Sequence, residues 1–105
     1  MSAMTPEGKV KKRVVDELKK YGVYYFCPRG TIMGRAGVPD FVCCYRGYFL
    51  SIETKAGKNK PTALQYREMA EIAKAGGVAL VINEDNIDAI SKALMTIDLK
   101  AERLI

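Results

Sequence analysis

Apolar residues recur along this chain with two different periods, and the changes between them mark out its elements. Val10, Val14, Leu18 and Tyr21 are spaced four, four and three apart, the stripe of an amphipathic helix. Thr5-Pro6 opens that helix, with Thr as N-cap and Pro at the first helical position, and Gly22 ends it after about Tyr21. Val23 to Cys27 is rich in aromatic and β-branched residues and predicts a strand. Residues 28–38 form a loop carrying Gly30, Gly34 and Gly37 together with Arg29 and Arg35. Two strands follow, Pro39 to Tyr45 and Tyr48 to Lys55, around an Arg46-Gly47 turn. A polar loop, Ala56 to Pro61, leads to a helix over Thr62 to Ala75, and Thr62-x-x-Gln65 has the form of a capping box. Gly76-Gly77 stops that helix. Val78 to Ile82 is a continuous apolar run suited to a buried strand. Asn83 or Asp85 then caps a last helix with Ile87, Ile90, Leu94 and Ile97 on its apolar face, leaving Asp98 to Ile105 as a tail or docking segment.

The predicted order is α-β-β-β-α-β-α. A tight hairpin is antiparallel, and a helix between strands carries a crossover, so the expectation is an α/β fold with one mixed sheet flanked by helices. The 105 residues suit a single domain.

Centring the turn between Arg46 and Gly47 sets the hairpin register. Tyr45 faces Tyr48, Cys43 faces Leu50 and Phe41 faces Ile52, an entirely apolar sheet face. On the other face Cys44 meets Phe49, Val42 meets Ser51 and Asp40 meets Glu53, with Lys55 two residues further along the same face. Like charges directly opposed across a hairpin are destabilising, and a divalent cation would remove that cost. The structural alternatives are that one carboxylate faces solvent or that Lys55 neutralises both.

Composition narrows the chemistry. There is no histidine, which excludes histidine bases and histidine-containing zinc sites. The three cysteines, Cys27, Cys43 and Cys44, have no CxxC spacing and read as small buried apolar residues. Hydrolytic chemistry must then rest on carboxylates, lysine and a hard metal such as Mg²⁺ or Mn²⁺. A net charge of +5 favours a polyanionic partner, most simply nucleic acid. No apolar run is long enough to span a membrane, and Met1 to Gly8 lacks a signal-peptide core, so no membrane association and a cytoplasmic location are expected.

Acid-x-lysine triplets recur along the chain. Glu17-Leu18-Lys19 lies on a helix, where positions two apart diverge, and Asp98-Leu99-Lys100 has no acid on a preceding strand. Glu53-Thr54-Lys55 alone sits at a strand end, with Gly37-Val38-Pro39-Asp40-Phe41 one strand upstream. Glu7 is three residues before Val10 and so lies on the apolar side of the first helix, although a favourable helix-dipole position explains it equally well. Gln65 shares a face with Met69 and Ile72, and capping-box duty explains it equally well. Basic residues flank the site in the loops: Arg29 and Arg35 before Asp40, Lys58 and Lys60 after Lys55.

Together, Glu7, Gly37-x-Pro39-Asp40-Phe41, Ile52-Glu53-Thr54-Lys55 and a helical Gln65 resemble the PD-(D/E)XK nucleases, and within them a stand-alone virus-type replication-repair nuclease (VRR-NUC) domain. The resemblance spans roughly Thr5 to Ile90, and the αβββαβ order agrees with that restriction-endonuclease-like core. It implies a Mg²⁺- or Mn²⁺-dependent DNA endonuclease, with Asp40, Glu53, the Thr54 carbonyl and Glu7 as metal ligands. It also implies Lys55 as the catalytic lysine, Glu7 and Gln65 as supporting active-site residues, and action as a homodimer on branched DNA such as four-way junctions. Arg29, Arg35, Lys58 and Lys60 are expected to contact DNA phosphates. Two rival readings are a non-catalytic nucleic-acid-binding module and a small interaction subunit whose acidic pair is merely surface charge.

Overall fold

The computed structural model describes residues 4–29 and 36–103. Helix α1 (Pro6–Lys20) is followed by strands β1 (Tyr24–Phe26), β2 (Phe41–Tyr45) and β3 (Tyr48–Thr54), helix α2 (Ala63–Lys74), strand β4 (Val78–Ile82) and helix α3 (Asp88–Arg103). The strands form one sheet in the order β1-β2-β3-β4. β1, β2 and β3 are antiparallel neighbours, and α2 carries the chain over to β4, which runs parallel to β3. The mixed sheet is therefore the one expected from the sequence.

The hairpin register is also the expected one, with Phe41 opposite Ile52, Cys43 opposite Leu50 and Tyr45 opposite Tyr48. Arg46 (φ 50°) and Gly47 (φ 85°) both adopt positive φ, the conformation of a two-residue hairpin turn whose twist matches its strands. Positive φ is uncommon for arginine. Here the side chain is tied down, since Arg46 and Tyr45 both donate to Asp98 Oδ1 on α3, at 3.1 and 2.9 Å.

That contact corrects one expectation. Residues 98–103 dock rather than trail as a tail, because α3 continues to Arg103 and Asp98 locks its middle to the hairpin, while residues 104–105 lie outside the described residues. Neither Asn83 nor Asp85 caps α3, which begins at Asp88. Asn83 instead accepts from the Asp85 N–H at 2.8 Å. Asn86 staples the turn, accepting from the Asn83 N–H at 2.7 Å and donating to the Val81 carbonyl at 2.9 Å. Tyr21 follows α1 rather than joining its buried stripe, and its ring lies under the Lys20 ammonium. Of the cysteines only Cys43 is buried, with its thiol pushed up to about 12, chiefly by burial, while Cys27 and Cys44 are exposed.

The core lies on one side of the sheet. Val10, Val14 and Leu18 of α1 pack with Phe41, Cys43, Leu50, Ile52 and Ile82 of the strands and with Ile87, Ile90 and Leu94. α2 crosses the other side, near Phe49 and Glu53, leaving Tyr24 and Phe26 exposed.

One glycine decides where Asp40 sits. Gly37 has φ +80°, and a Cβ there would lie 2.6 Å from the Leu64 carbonyl oxygen at the start of α2. Only glycine lets the chain press this closely against α2 before turning into buried Pro39 and then Asp40. Gly37→Ala is expected to destabilise the protein by at least about 2 kcal/mol, combining backbone strain with a clash against main chain. Gly57→Ala, at φ +59° with open space around it, should cost about 1 kcal/mol. Urea midpoints measure both, and equal losses would contradict the close-approach explanation.

Candidate active site

Asp40 is held by the strand opposite. Its Oδ2 accepts the Thr54 N–H at 2.8 Å and the Thr54 hydroxyl at 2.6 Å. Asp40 lies one residue before the first paired position of β2, so its carboxylate takes over where the hairpin ladder stops. A strand residue's N–H and C=O leave on the same side, so the Thr54 carbonyl also faces the Asp40 edge. Lys55 keeps β3 in the sheet, its N–H donating to the Ile82 carbonyl at 3.0 Å.

Glu53 is 3% exposed, a rare degree of burial for a carboxylate. Gln65 Nε2 donates to its Oε1 at 2.9 Å, and Lys55 Nζ stands 3.7 Å from the same oxygen with a side chain only 14% exposed. The two explanations of Gln65 prove compatible. Its Oε1 accepts the Thr62 N–H and its own N–H donates to Thr62 Oγ1, completing the capping box, while its Nε2 reaches Glu53. The cap fixes the backbone and one end of the amide, so the other end points at the acid.

The Glu53 carboxyl is pushed from 4.5 up to about 7, chiefly by burial. The neighbouring Asp40 contributes to that rise by its charge and by a hydrogen bond, Glu7 adds a smaller push, and Lys55 opposes. The acids converge as the register predicts, and one lysine does not neutralise them.

Glu7 reaches this cluster through a residue that the sequence reading missed. Lys11, one helical turn on, lies 3.8 Å from Glu7 Oε2 and 3.7 Å from Asp40 Oδ1. The i,i+4 spacing that stacks Lys11 on Glu7 was visible in the sequence, but its reach to Asp40 depends on how α1 packs. Among the described residues no group of three or more Cys, Asp or Glu side chains converges as a metal cage, so Glu7 is not a third carboxylate facing the pair. Two carboxylates and a carbonyl still suit Mg²⁺, which keeps several waters and commonly takes one or two carboxylates together with substrate phosphate. Buried Glu53 and part-exposed Asp40 repel each other, and a cation between them would remove that cost.

Of the expected phosphate contacts, Arg29, Lys58 and Lys60 are exposed, and Arg35 lies outside the described residues. The loop bearing Lys58 is anchored by the Gly57 N–H, which donates to Glu84 Oε1 at 2.7 Å.

The Glu53 shift makes stability depend on pH. Folded Glu53 keeps its proton up to about pH 7, whereas the unfolded chain releases it near 4.5, so stability falls as pH rises between those values and levels off above them. With divalent ions chelated, Glu53→Gln should match the wild type below the unfolded value. Above the folded value it should be more stable, by up to about 3 kcal/mol. Denaturant titrations across that range test this, and parallel pH profiles for the two proteins would contradict it.

No family model matches the sequence. The chain is 33% identical over 91 residues to "Putative nuclease p44" of Acyrthosiphon pisum secondary endosymbiont phage 1, covering 84% of this chain and 94% of that protein. A solved structure described as "VRR_NUC domain" superposes with a TM-score of 0.72 at 26% identity, covering 85% of this chain and 97% of that one. Another, "VRR_NUC domain protein", gives 0.70 at 22% identity, covering 90% and 92%. Hjc of Archaeoglobus fulgidus, described as a Holliday junction resolvase from an archaeal hyperthermophile, shares the fold at a TM-score of 0.55 and 23% identity, covering 71% and 65%. With its motifs, its fold and a relative matched over nearly its whole length in agreement, the chain belongs to the VRR-NUC nuclease family.

Proposed function

We propose that this chain is a divalent-metal-dependent DNA endonuclease that hydrolyses phosphodiester bonds in branched DNA, with four-way junctions as the leading substrate. The observation that carries the reading is the convergence of Asp40, buried Glu53 and Lys55 on one edge of the hairpin. The junction preference draws on the fold shared with Hjc and on family membership.

Asp40, Glu53 and the Thr54 carbonyl would hold Mg²⁺ or Mn²⁺, and Glu7 would support the ion through water. When bound, the metal supplies Lewis acidity toward the scissile phosphate and lowers the pKa of the attacking water. The protein's own part is positioning. Thr54 fixes the Asp40 carboxylate by two hydrogen bonds, and Gln65 fixes Glu53 by one. Lys55, held beside Glu53 and nearly enclosed, presents its ammonium to the attacking water and to the phosphate oxygens, where negative charge grows in the transition state. Arg29, Lys58 and Lys60, with Arg35, hold flanking phosphates without reading sequence. Two cuts placed symmetrically on a junction call for two active sites, which a two-fold homodimer supplies.

Lys55→Ala should still bind branched DNA but cleave it about 100-fold or more slowly in the presence of Mg²⁺. Gel shifts and single-turnover cleavage measure the two effects. Cleavage unaffected by the substitution would remove Lys55 from the mechanism. Shifted bands with no products from wild-type protein, with or without Mg²⁺, would instead mark a non-catalytic binding module.

A further inference from the structure

The acid cluster already contains a cation that the mechanism does not use. Lys11 projects from the same side of α1 as Glu7, and its ammonium lies between Glu7 Oε2 and Asp40 Oδ1. Oδ2 of Asp40 is occupied by its two hydrogen bonds from Thr54. A carboxylate oxygen has two lone pairs, so the oxygen with capacity left for a metal is Oδ1, the one that Lys11 faces. The basic neighbours of Lys11 are placed differently. Lys12 pairs with Asp16 on the outer side of α1, and Arg13 donates to the Glu84 carbonyl.

We infer that Lys11 is a resident counter-cation of the metal-free site, and that a divalent ion reaches Asp40 only by displacing it. This rests on the reading of the site as a metal centre. Both contacts of Lys11 are long, and its side chain is 43% exposed. Such ion pairs are weak and readily exchanged. They partly neutralise Asp40 while no metal is present, yet a doubly charged ion can outcompete them. Lys55 differs, being nearly enclosed beside Glu53, with less room to leave. The two lysines thus divide the work: one yields to the metal, and the other stays beside the reacting groups.

The test is Mn²⁺ binding to the full chain without DNA, followed by the electron paramagnetic resonance of free Mn²⁺ at low ionic strength. Lys11→Met and Lys11→Gln should both bind Mn²⁺ about tenfold more tightly, as expected for removing one positive charge close to a divalent ion. Lys11→Arg should stay close to the wild type. Lys12→Met removes the same charge from the same helix but away from the site, and should also leave affinity unchanged. Affinities of Lys11→Met and Lys11→Gln equal to or weaker than that of a wild type that does bind would overturn the inference, while leaving the metal centre standing. Absence of Mn²⁺ binding in every variant, or wild-type binding unaffected by Glu53→Gln, would remove the metal centre and the inference together.

Discussion

The paired hydrogen bonds from Thr54 to Asp40 hold this protein's site together. An antiparallel hairpin needs a backbone partner at every second residue, and β2 stops before it can supply one opposite Thr54. The Asp40 carboxylate fills that role, accepting both the Thr54 N–H and its hydroxyl. One acid is thereby fixed beside Glu53. Gly37 makes this possible by letting the preceding chain lie against the first turn of α2, and that same turn brings Gln65 over Glu53. A local need of the backbone and the chemistry of the site are met by the same side chain.

The cost of the arrangement is electrostatic. Glu53 is buried beside a second carboxylate, and its proton is held well above the usual range. The protein offsets this only in part, with Lys55 at one acid and Lys11 at the other, neither closer than 3.7 Å. Full pairing by close, bidentate contacts would stabilise the metal-free fold but leave no vacancy for an ion. A site of this kind trades stability for reactivity, with the strain confined to a few residues at one end of a well-packed sheet.

Much of the architecture could be read from hydrophobic periodicity alone. The α1 stripe, the hairpin register and β4 all have a single apolar face or run that admits one arrangement. The acid pair followed from the same register, because a two-residue turn fixes every partner along the hairpin. Contacts between distant elements were not legible. Asp98 gave no sign that it would bind Tyr45 and Arg46, since nothing in its local pattern distinguishes it from a frayed end. Asn83 and Asp85 look like helix caps, but Asn86 takes the controlling hydrogen bonds, a choice set by the Val81 carbonyl at the end of β4. Lys11 belongs to the same class: its spacing from Glu7 is local, and its distance to Asp40 is a matter of packing.

Asp40 and Glu53 are proposed to hold one divalent cation jointly. Anomalous diffraction from crystals soaked in Mn²⁺ tests it most directly. The expected result is a peak about 2.0–2.3 Å from both carboxylates, with the Thr54 carbonyl among its other ligands. A peak bound to one acid only, or no peak between them at saturating Mn²⁺, would contradict it.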